Sequence, residues 1–317
     1  MNRVLITGGL GFLGSHLARE LAGRAEILIL DEGKSEERIE DIRKGLQIQR
    51  MGLTNPRLKD AVNRFEPDTV FHLGAFTLPF REKSFLRTSM ESNVFGTVSL
   101  LEALENTNVK SLIYASSSEV YGSANEAPFR EDMAPRPTSP YSVGKLAGEH
   151  YCMLYHDTYG FPATVLRLFN IYGPWQTPNR IIPELIVSCL KKQTFRMTKG
   201  EQTREFNYVK DIVNALIAAA KAEKAKGEII NVGCGKGVPI KDVVEKILSM
   251  MGRPIHAQAS LPYRENEIWR MHSDSTKALK LLNWKSQYSI ENGLRETVDW
   301  YKNQWEKNRN SICFGGA

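Results

Sequence analysis

Two segments carry side chains whose types and spacing suit proton transfer. In PTSPYSVGKLAGEHY, Tyr141 and Lys145 stand four residues apart, a separation that places both on one face of a helix. An ammonium beside a phenol favours the phenolate and draws the tyrosine pKa down from about 10, which is how tyrosine becomes a base near neutral pH. The other segment, YASSSEVYG at 114–122, reads as a buried strand running into hydroxyls, and Ser117 there can hydrogen-bond the oxygen that Tyr141 would deprotonate. Each segment alone has a bland alternative: an amphipathic helix that contains Tyr and Lys, and a polar strand end turning at Gly122.

A second set of residues, near the N-terminus, has spacing that suits a bound ligand. In VLITGGLGFLGSHLARELAGRAEILILDEG the order is strand, tight turn, helix, strand. Gly8, Gly11 and Gly14 recur every third residue, and Gly9, Gly11 and Gly14 fit G-x-G-x-x-G. Glycines of this spacing permit a sharp turn, let a diphosphate approach the main chain and let the helix pack closely, while the helix N-terminus offers free N–H groups. Asp31 ends the second apolar run 17 positions beyond Gly14, close to where a carboxylate binds a ribose 2′-hydroxyl. A carboxylate there repels a 2′-phosphate, which favours NAD over NADP.

The elements needed to hold these groups recur along the chain. Strand-like runs at VLITG, EILIL, TVFHLGA, SLIYASS, ATVLRLF and EIINVG alternate with helical patterns. That alternation predicts an α/β fold of Rossmann type, a doubly wound parallel sheet with its site at the carboxyl ends of the strands. The candidate loops begin at Gly8, Gly74, Ser116 and Asn170. Beyond about residue 170 the alternation weakens and a smaller C-terminal substrate-binding lobe is expected. The division read from the sequence is 1–170 with 208–233 returning to it, and 171–207 with 234–317 as the lobe and tail. His72 reads as a strand-end histidine.

Composition excludes several classes. The 317 residues are 42% apolar and 25% charged, ordinary for a globular enzyme. Lys and Arg exceed Asp and Glu by 42 to 36, giving +6, but the excess forms no basic, aromatic-studded stripe, so nucleic acid is not expected as a partner. Cys152, Cys189, Cys234 and Cys313 form no C-x-x-C pair, which suggests reduced thiols and no metal site. No apolar stretch approaches the ~20 residues of a membrane span, and a cytoplasmic enzyme without a membrane partner is expected. The last residues, NRNSICFGGA, read as a loosely anchored tail.

Together the glycine turn, the serine and the Y-x-x-x-K pair resemble the extended short-chain dehydrogenase/reductase family, specifically its nucleotide-sugar epimerases and dehydratases. TGGLGFLGSHLA is similar to the family's cofactor loop, HLGAF to its H-L-A-A and NVFGT to its N-x-x-G-T. RLFNIYGP, GEQTREFNYVKDIV, NVGCGKGVPI and LPYRENEIWRMHSDSTKALKLLNWK resemble the nucleotide-sugar branch. The resemblance implies NAD as cofactor, bound by Gly8, Gly11, Phe12, Leu13, Gly14, Asp31, Leu53, Leu73, Gly74, Ala75 and Asn93 together with Tyr141 and Lys145. It implies catalysis by Ser117, Tyr141 and Lys145, with Glu119 as a further candidate, and a nucleotide-diphosphate sugar held by Ser117, Ser118, Tyr141, Asn170, Arg204 and Arg270. It also implies a homodimer joined through the helices around SNVFGTVSLLEALE and YSVGKLAGEHYCMLY. One departure stands out: Gly52 replaces the Asp that commonly reaches the adenine amino group in the family, which leaves backbone at Leu53 for that contact.

The shared first step is proton removal by Tyr141 from a sugar hydroxyl, at C4, while hydride leaves that carbon for the nicotinamide. A C4 epimerase needs only Ser117, Tyr141 and Lys145, and this is the expected activity. A 4,6-dehydratase also needs a carboxylate base and a second acid; Glu119 fills the first position, and Ser118 stands where glucose-type dehydratases carry Asp. Mannose-type dehydratases and glucuronate decarboxylases resemble the SSE sequence, so Glu119 keeps them open; the alternatives to epimerisation are a mannose-type 4,6-dehydratase using Glu119 and, after it, a 4-keto-6-deoxysugar reductase consuming external NAD(P)H. Met271 falls near the position that limits the sugar's C2 substituent. A catalytically silent dinucleotide sensor is the reading from a different class, and the intact Ser, Tyr and Lys set argues against it.

Overall fold

The computed structural model describes residues 1–78, 82–123, 126–264 and 267–308; Cys313 and the rest of the tail from residue 309 lie outside the described residues. The chain starts with β1 (Arg3–Thr7), α1 (Phe12–Leu21), β2 (Glu26–Asp31), β3 (Leu46–Arg50), α2 (Leu58–Phe65) and β4 (Thr69–His72). A helix follows in two pieces, α3 (Leu86–Ser89) and α4 (Gly96–Leu104), joined by a π-helical stretch at Met90–Phe95. Then come β5 (Ser111–Ser117), α5 (Pro140–Tyr159) and β6 (Ala163–Leu168).

Smaller pieces make up the remainder: β7 (Ile171–Tyr172), α6 (Ile181–Lys191), β8 (Phe195–Met197), β9 (Thr203–Glu205) and β10 (Asn207–Tyr208). After them run α7 (Val209–Lys221), β11 (Ile229–Val232), β12 (Gly237–Pro239), α8 (Ile240–Met250), β13 (Ala257–Ala259), β14 (Arg270–Met271), α9 (Thr276–Leu282) and α10 (Ile290–Lys307).

Seven strands form one parallel sheet in the order β11-β6-β5-β4-β1-β2-β3. This is the doubly wound Rossmann order with one strand added, and its chain reversal lies between β1 and β4. Alternate residues of each strand feed opposite faces. Val4, Ile6, Ile27, Ile29 and Ile113 enter one apolar core, and Leu5, Leu28, Leu30, Leu112 and Tyr114 enter the other. Burial on both faces explains the near-continuous apolar runs in β1, β2 and β5. The strand at the β3 edge reads LQIQR, polar at every second position, because one face and one edge meet water. It was not among the runs picked out from the sequence for that reason.

Three smaller sheets pair β12-β9-β14, β10-β7 and β13-β8. β11 lies between the strands of these small sheets in the sequence, after β10 and before β12, yet pairs with β6 in the main sheet, and α7 carries Val209, Ile212, Val213 and Leu216 into the first core. Among the described residues no helix is long and apolar enough to cross a membrane, and no group of His, Cys, Asp and Glu is arranged to hold a metal ion.

Candidate active site

The turn between β1 and α1 is a close-fitted cradle. Gly8 has φ +70°, and a Cβ there would stand 2.7 Å from the Cα of Gly74; one on Gly14 would stand 2.2 Å from the Gly8 carbonyl oxygen. Only glycine permits that backbone approach. Helix α1 starts at Gly11 with no side-chain cap and no acidic residue in its first turn, so its N-terminal amides and dipole are open to an anion. Leu17, Ala18 and Leu21 seat the helix on the sheet. Asp31 ends β2 with its carboxylate fixed: Leu10 N and Gly33 N each donate to it at 2.8 Å.

His72, at the end of β4, is fully enclosed. Its Nδ1 lies 2.8 Å from the Thr7 hydroxyl and its Nε2 2.9 Å from the Thr97 hydroxyl. The Gly74 N–H donates to Thr7 and the Thr97 hydroxyl to the Asn93 carbonyl, a pattern met by a neutral ring with its proton on Nε2. Burial, aided by the charge of Lys145, lowers its pKa to about 3. The ring thus ties β1, β4 and α4 together, as a strand-end histidine.

Asn93 sits behind the Leu73–Ala75 loop. Its side-chain amide accepts from Phe76 N at 2.8 Å and donates to Phe76 O at 3.0 Å, so it sets the course of that loop after Gly74.

Helix α5 begins with a reciprocal cap. Ser139 accepts from Ser142 N, the Ser142 hydroxyl reaches back to Ser139 N, and Pro140 occupies the first helical position. This places Tyr141 in the first turn and Lys145 one turn further, facing the end of β5. The Ser117 side chain stands near the Tyr141 phenol and favours its ionised form. Ser117 also accepts from Glu119 N at 3.2 Å, which starts the turn Ser118–Tyr121.

The electrostatics differ from the sequence-based expectation. Tyr141 is pushed up from the ordinary phenol value, chiefly by burial; the Ser117 side chain and the charge of Arg180 oppose this and the charge of Glu119 adds to it. Lys145, one turn further along α5, is buried. Its Nζ donates to the Ala115 carbonyl at 2.7 Å and lies over the Tyr114 ring, and burial lowers its pKa to about 8. The charge that favours phenolate comes from Arg180, at the start of α6, whose Nη2 donates to Thr77 O at 3.0 Å. Arg180 was not picked out from the sequence, where it is one arginine in a polar loop.

Behind this layer, Glu149 on α5 accepts from Ser116 and from Arg167 on β6, whose Nη2 is 2.7 Å away. Both members of the ion pair are buried, and the guanidinium lies over the Tyr121 ring. They brace the Ser117–Tyr121 turn from inside, and their side chains are far apart in sequence, which is why the pairing could not be read there.

The remaining candidates come from the second half of the chain. Ser118 is buried with its hydroxyl 3.5 Å from the Met271 sulfur. Asn170 follows β6, and its carbonyl accepts from Asn207 N at 2.8 Å. β14 pairs with β9, setting Arg270 beside Thr203 and Met271 beside Arg204. Arg270 is exposed. The guanidinium of Arg204 is held by Glu267 and by the carbonyls of Thr203 and Ile268.

With this arrangement in view, the chain can be compared with known proteins. Residues 4–233 match the NAD dependent epimerase/dehydratase family. The chain belongs to that family. It is 29% identical to the UDP-glucose 4-epimerase of Mycolicibacterium smegmatis over 95% of this chain and 99% of the relative. It is 34% identical to the UDP-N-acetyl-alpha-D-glucosaminuronate decarboxylase of Bacillus cytotoxicus over 95% and 98%. The structure of UDP-glucuronic acid 4-epimerase from Bacillus cereus, in complex with UDP-glucuronic acid and NAD, superposes with a TM-score of 0.86 at 30% identity, covering 95% of this chain and 99% of that one. This member of the family is therefore an NAD-dependent enzyme with a Rossmann-type fold. Its own residues fit the cofactor: the cradle at Gly8 and Gly14 leaves backbone open to a diphosphate, and Asp31 stands where a ribose would follow.

Proposed function

We propose that the protein is an NAD-dependent nucleotide-diphosphate-sugar C4 epimerase. The observation that carries this reading is the makeup of the turn after β5. Ser117 stands near the Tyr141 phenol and favours its ionised form, while Ser118, the position that would supply a second acid, is a hydroxyl turned onto Met271. An epimerase needs the first arrangement and has no use for the second.

In this reading the Tyr141 phenolate takes the proton of the sugar C4 hydroxyl while the Ser117 hydroxyl holds the same oxygen. Lys145, anchored on the Ala115 carbonyl, fixes the depth of α5 against β5 and so the height of Tyr141 over the strand ends. The hydride acceptor and, on reversal, donor is the chemistry that bound NAD supplies, and it takes the sugar through a 4-keto form. Gly8, Gly11, Phe12, Leu13, Gly14 and Asp31, with Leu73, Gly74 and Ala75, hold the dinucleotide. Residues 171–207 and 234–317 are the sugar-nucleotide lobe and tail; Asn170, just before the lobe, and Arg204 and Arg270 within it meet the diphosphate, a guanidinium being well matched to phosphate oxygens.

The partner is a second copy of the chain. Phe95 before α4 and Val143, Tyr151 and Leu154 on α5 are large, apolar and exposed, and the α5 residues are spaced to share one helix face. Covering that stripe by its symmetry mate gives the homodimer that the family resemblance implies.

A second reading has its own observation. The charge of Glu119 reaches the Tyr141 phenol, so a carboxylate stands near the reacting carbon, as a 4,6-dehydratase or a decarboxylase requires. The products separate these readings. Incubation with UDP-glucose, UDP-N-acetylglucosamine, UDP-glucuronic acid and GDP-mannose, followed by mass spectrometry, gives an isomer of unchanged mass for an epimerase. A product lighter by water or carbon dioxide overturns the proposal.

A further inference from the structure

A carboxylate fills the space beside a glycine at the edge of this site. The segment after β3 carries no side chain at Gly52, and a Cβ built there would lie 2.2 Å from Oε1 of Glu32 and 3.0 Å from its Cδ. The Glu32 side chain thus crosses from the end of β2 and fills the space that a side chain at position 52 would occupy. Glu32 is exposed, and among the described residues its carboxylate has no hydrogen-bond or ion-pair partner. Leu53, the next residue, turns its side chain onto α4, 3.2 Å from where a Cβ on Gly96 would be.

The sheet order says what passes over that spot. The diphosphate cradle is at the end of β1 and the ribose carboxylate, Asp31, is at the end of β2. In the order β4-β1-β2-β3, the base carried by that ribose continues outward to the gap between the ends of β2 and β3, where Glu32 meets Gly52. Adenine presents one strong donor on its edge, the 6-amino group, among acceptor ring nitrogens, and a carboxylate only accepts.

We propose that Glu32 is the adenine-reading residue of this protein, its carboxylate accepting the 6-amino proton of NAD from the space that Gly52 leaves open. The proposal rests on the placement of the dinucleotide along β1 and β2 given above. It replaces the backbone contact at Leu53 with a charged one, and it makes Gly52 and Glu32 a matched pair. An acidic side chain at both positions would put two carboxylates in one space.

Deamino-NAD, which carries an oxygen acceptor where NAD carries the amino group, is the probe. The full-length chain, stripped of cofactor, is titrated with NAD and with deamino-NAD by calorimetry. The parent protein is expected to prefer NAD by about tenfold or more, the size of a hydrogen bond to a charged group. Glu32→Ala is expected to lose NAD affinity with no loss for deamino-NAD, so that the preference collapses. The double variant Glu32→Ala/Gly52→Asp, which moves the carboxylate to the other wall of the gap, is expected to restore it. An unchanged ratio in Glu32→Ala, or no preference in the parent, overturns the assignment. Asp31→Asn is the control on placement: it weakens both dinucleotides alike, and if it weakens neither, the ribose is not at Asp31 and the placement itself is wrong.

Discussion

The ammonium of Lys145 donates to the carbonyl of Ala115 at 2.7 Å, two residues before Ser117 on the same strand. The bond joins the helix that carries the tyrosine to the strand that carries the serine. Its cost is a buried charge, which holds the lysine pKa down at about 8 against an ordinary 10.5. Below pH 8 the folded and unfolded chains both carry the proton, and burial penalises the folded one in full. Between about 8 and 10.5 the unfolded chain binds more protons, so stability contributed at this site rises with pH.

Lys145→Met removes that dependence. Urea unfolding of the two proteins at pH 7.5 and pH 10 is expected to show the parent gaining on the variant by as much as ~3 kcal/mol across the window. A parent that gains nothing would mean that Lys145 is not held in this buried setting.

Two charges flank Tyr141 with opposite signs, and they predict opposite shifts. Arg180 favours the phenolate and Glu119 opposes it. If the phenolate is the base, turnover rises with pH through the tyrosine pKa. Arg180→Gln is then expected to move that rise to higher pH and Glu119→Gln to lower pH, measured as kcat/KM profiles with the epimerase substrate. Loss of turnover by Glu119→Gln at every pH would instead give the carboxylate a direct part in the chemistry, as a dehydratase requires.

Arg204 is not free to meet a diphosphate while Glu267 holds its guanidinium. A substrate must compete with that carboxylate. Glu267→Gln is expected to lower KM for the sugar nucleotide several-fold with kcat little changed, and Arg204→Met to raise it. A higher KM in Glu267→Gln would show that the glutamate positions the arginine for the ligand.

The pair Glu149 and Arg167 is buried on both sides, and one guanidinium nitrogen, Nη1, has no hydrogen-bond partner among the described residues. Removing the cation alone leaves a buried, uncompensated carboxylate. Arg167→Met is expected to cost about 3–5 kcal/mol in urea unfolding, and Arg167→Met/Glu149→Leu to recover part of it. A single variant as stable as the parent would place Glu149 in contact with water.

What could be read from the sequence follows from the range of the forces involved. The glycine turn, Asp31 and the apolar runs are local signals, since backbone freedom and burial act on neighbours in the chain. Tyr141 and Lys145 were legible as residues one helical turn apart. The direction in which Lys145 points was not, because the Ala115 carbonyl that attracts it is 30 residues away. Arg180 near Tyr141, Glu267 on Arg204 and Glu32 across from Gly52 are likewise tertiary contacts between residues distant in the chain. β3 escaped notice because an edge strand with one wet face lacks the continuous apolar run of its neighbours.

The fate of one hydrogen tests the central claim most directly. A UDP-sugar accepted as substrate and deuterated at C4 is incubated with the enzyme to equilibrium, and the label is located by NMR. The account predicts deuterium at C4 of both epimers, because the hydride leaves that carbon and returns to it on the other face. Deuterium found elsewhere on the sugar, or washed into solvent, would contradict C4 epimerisation at Tyr141.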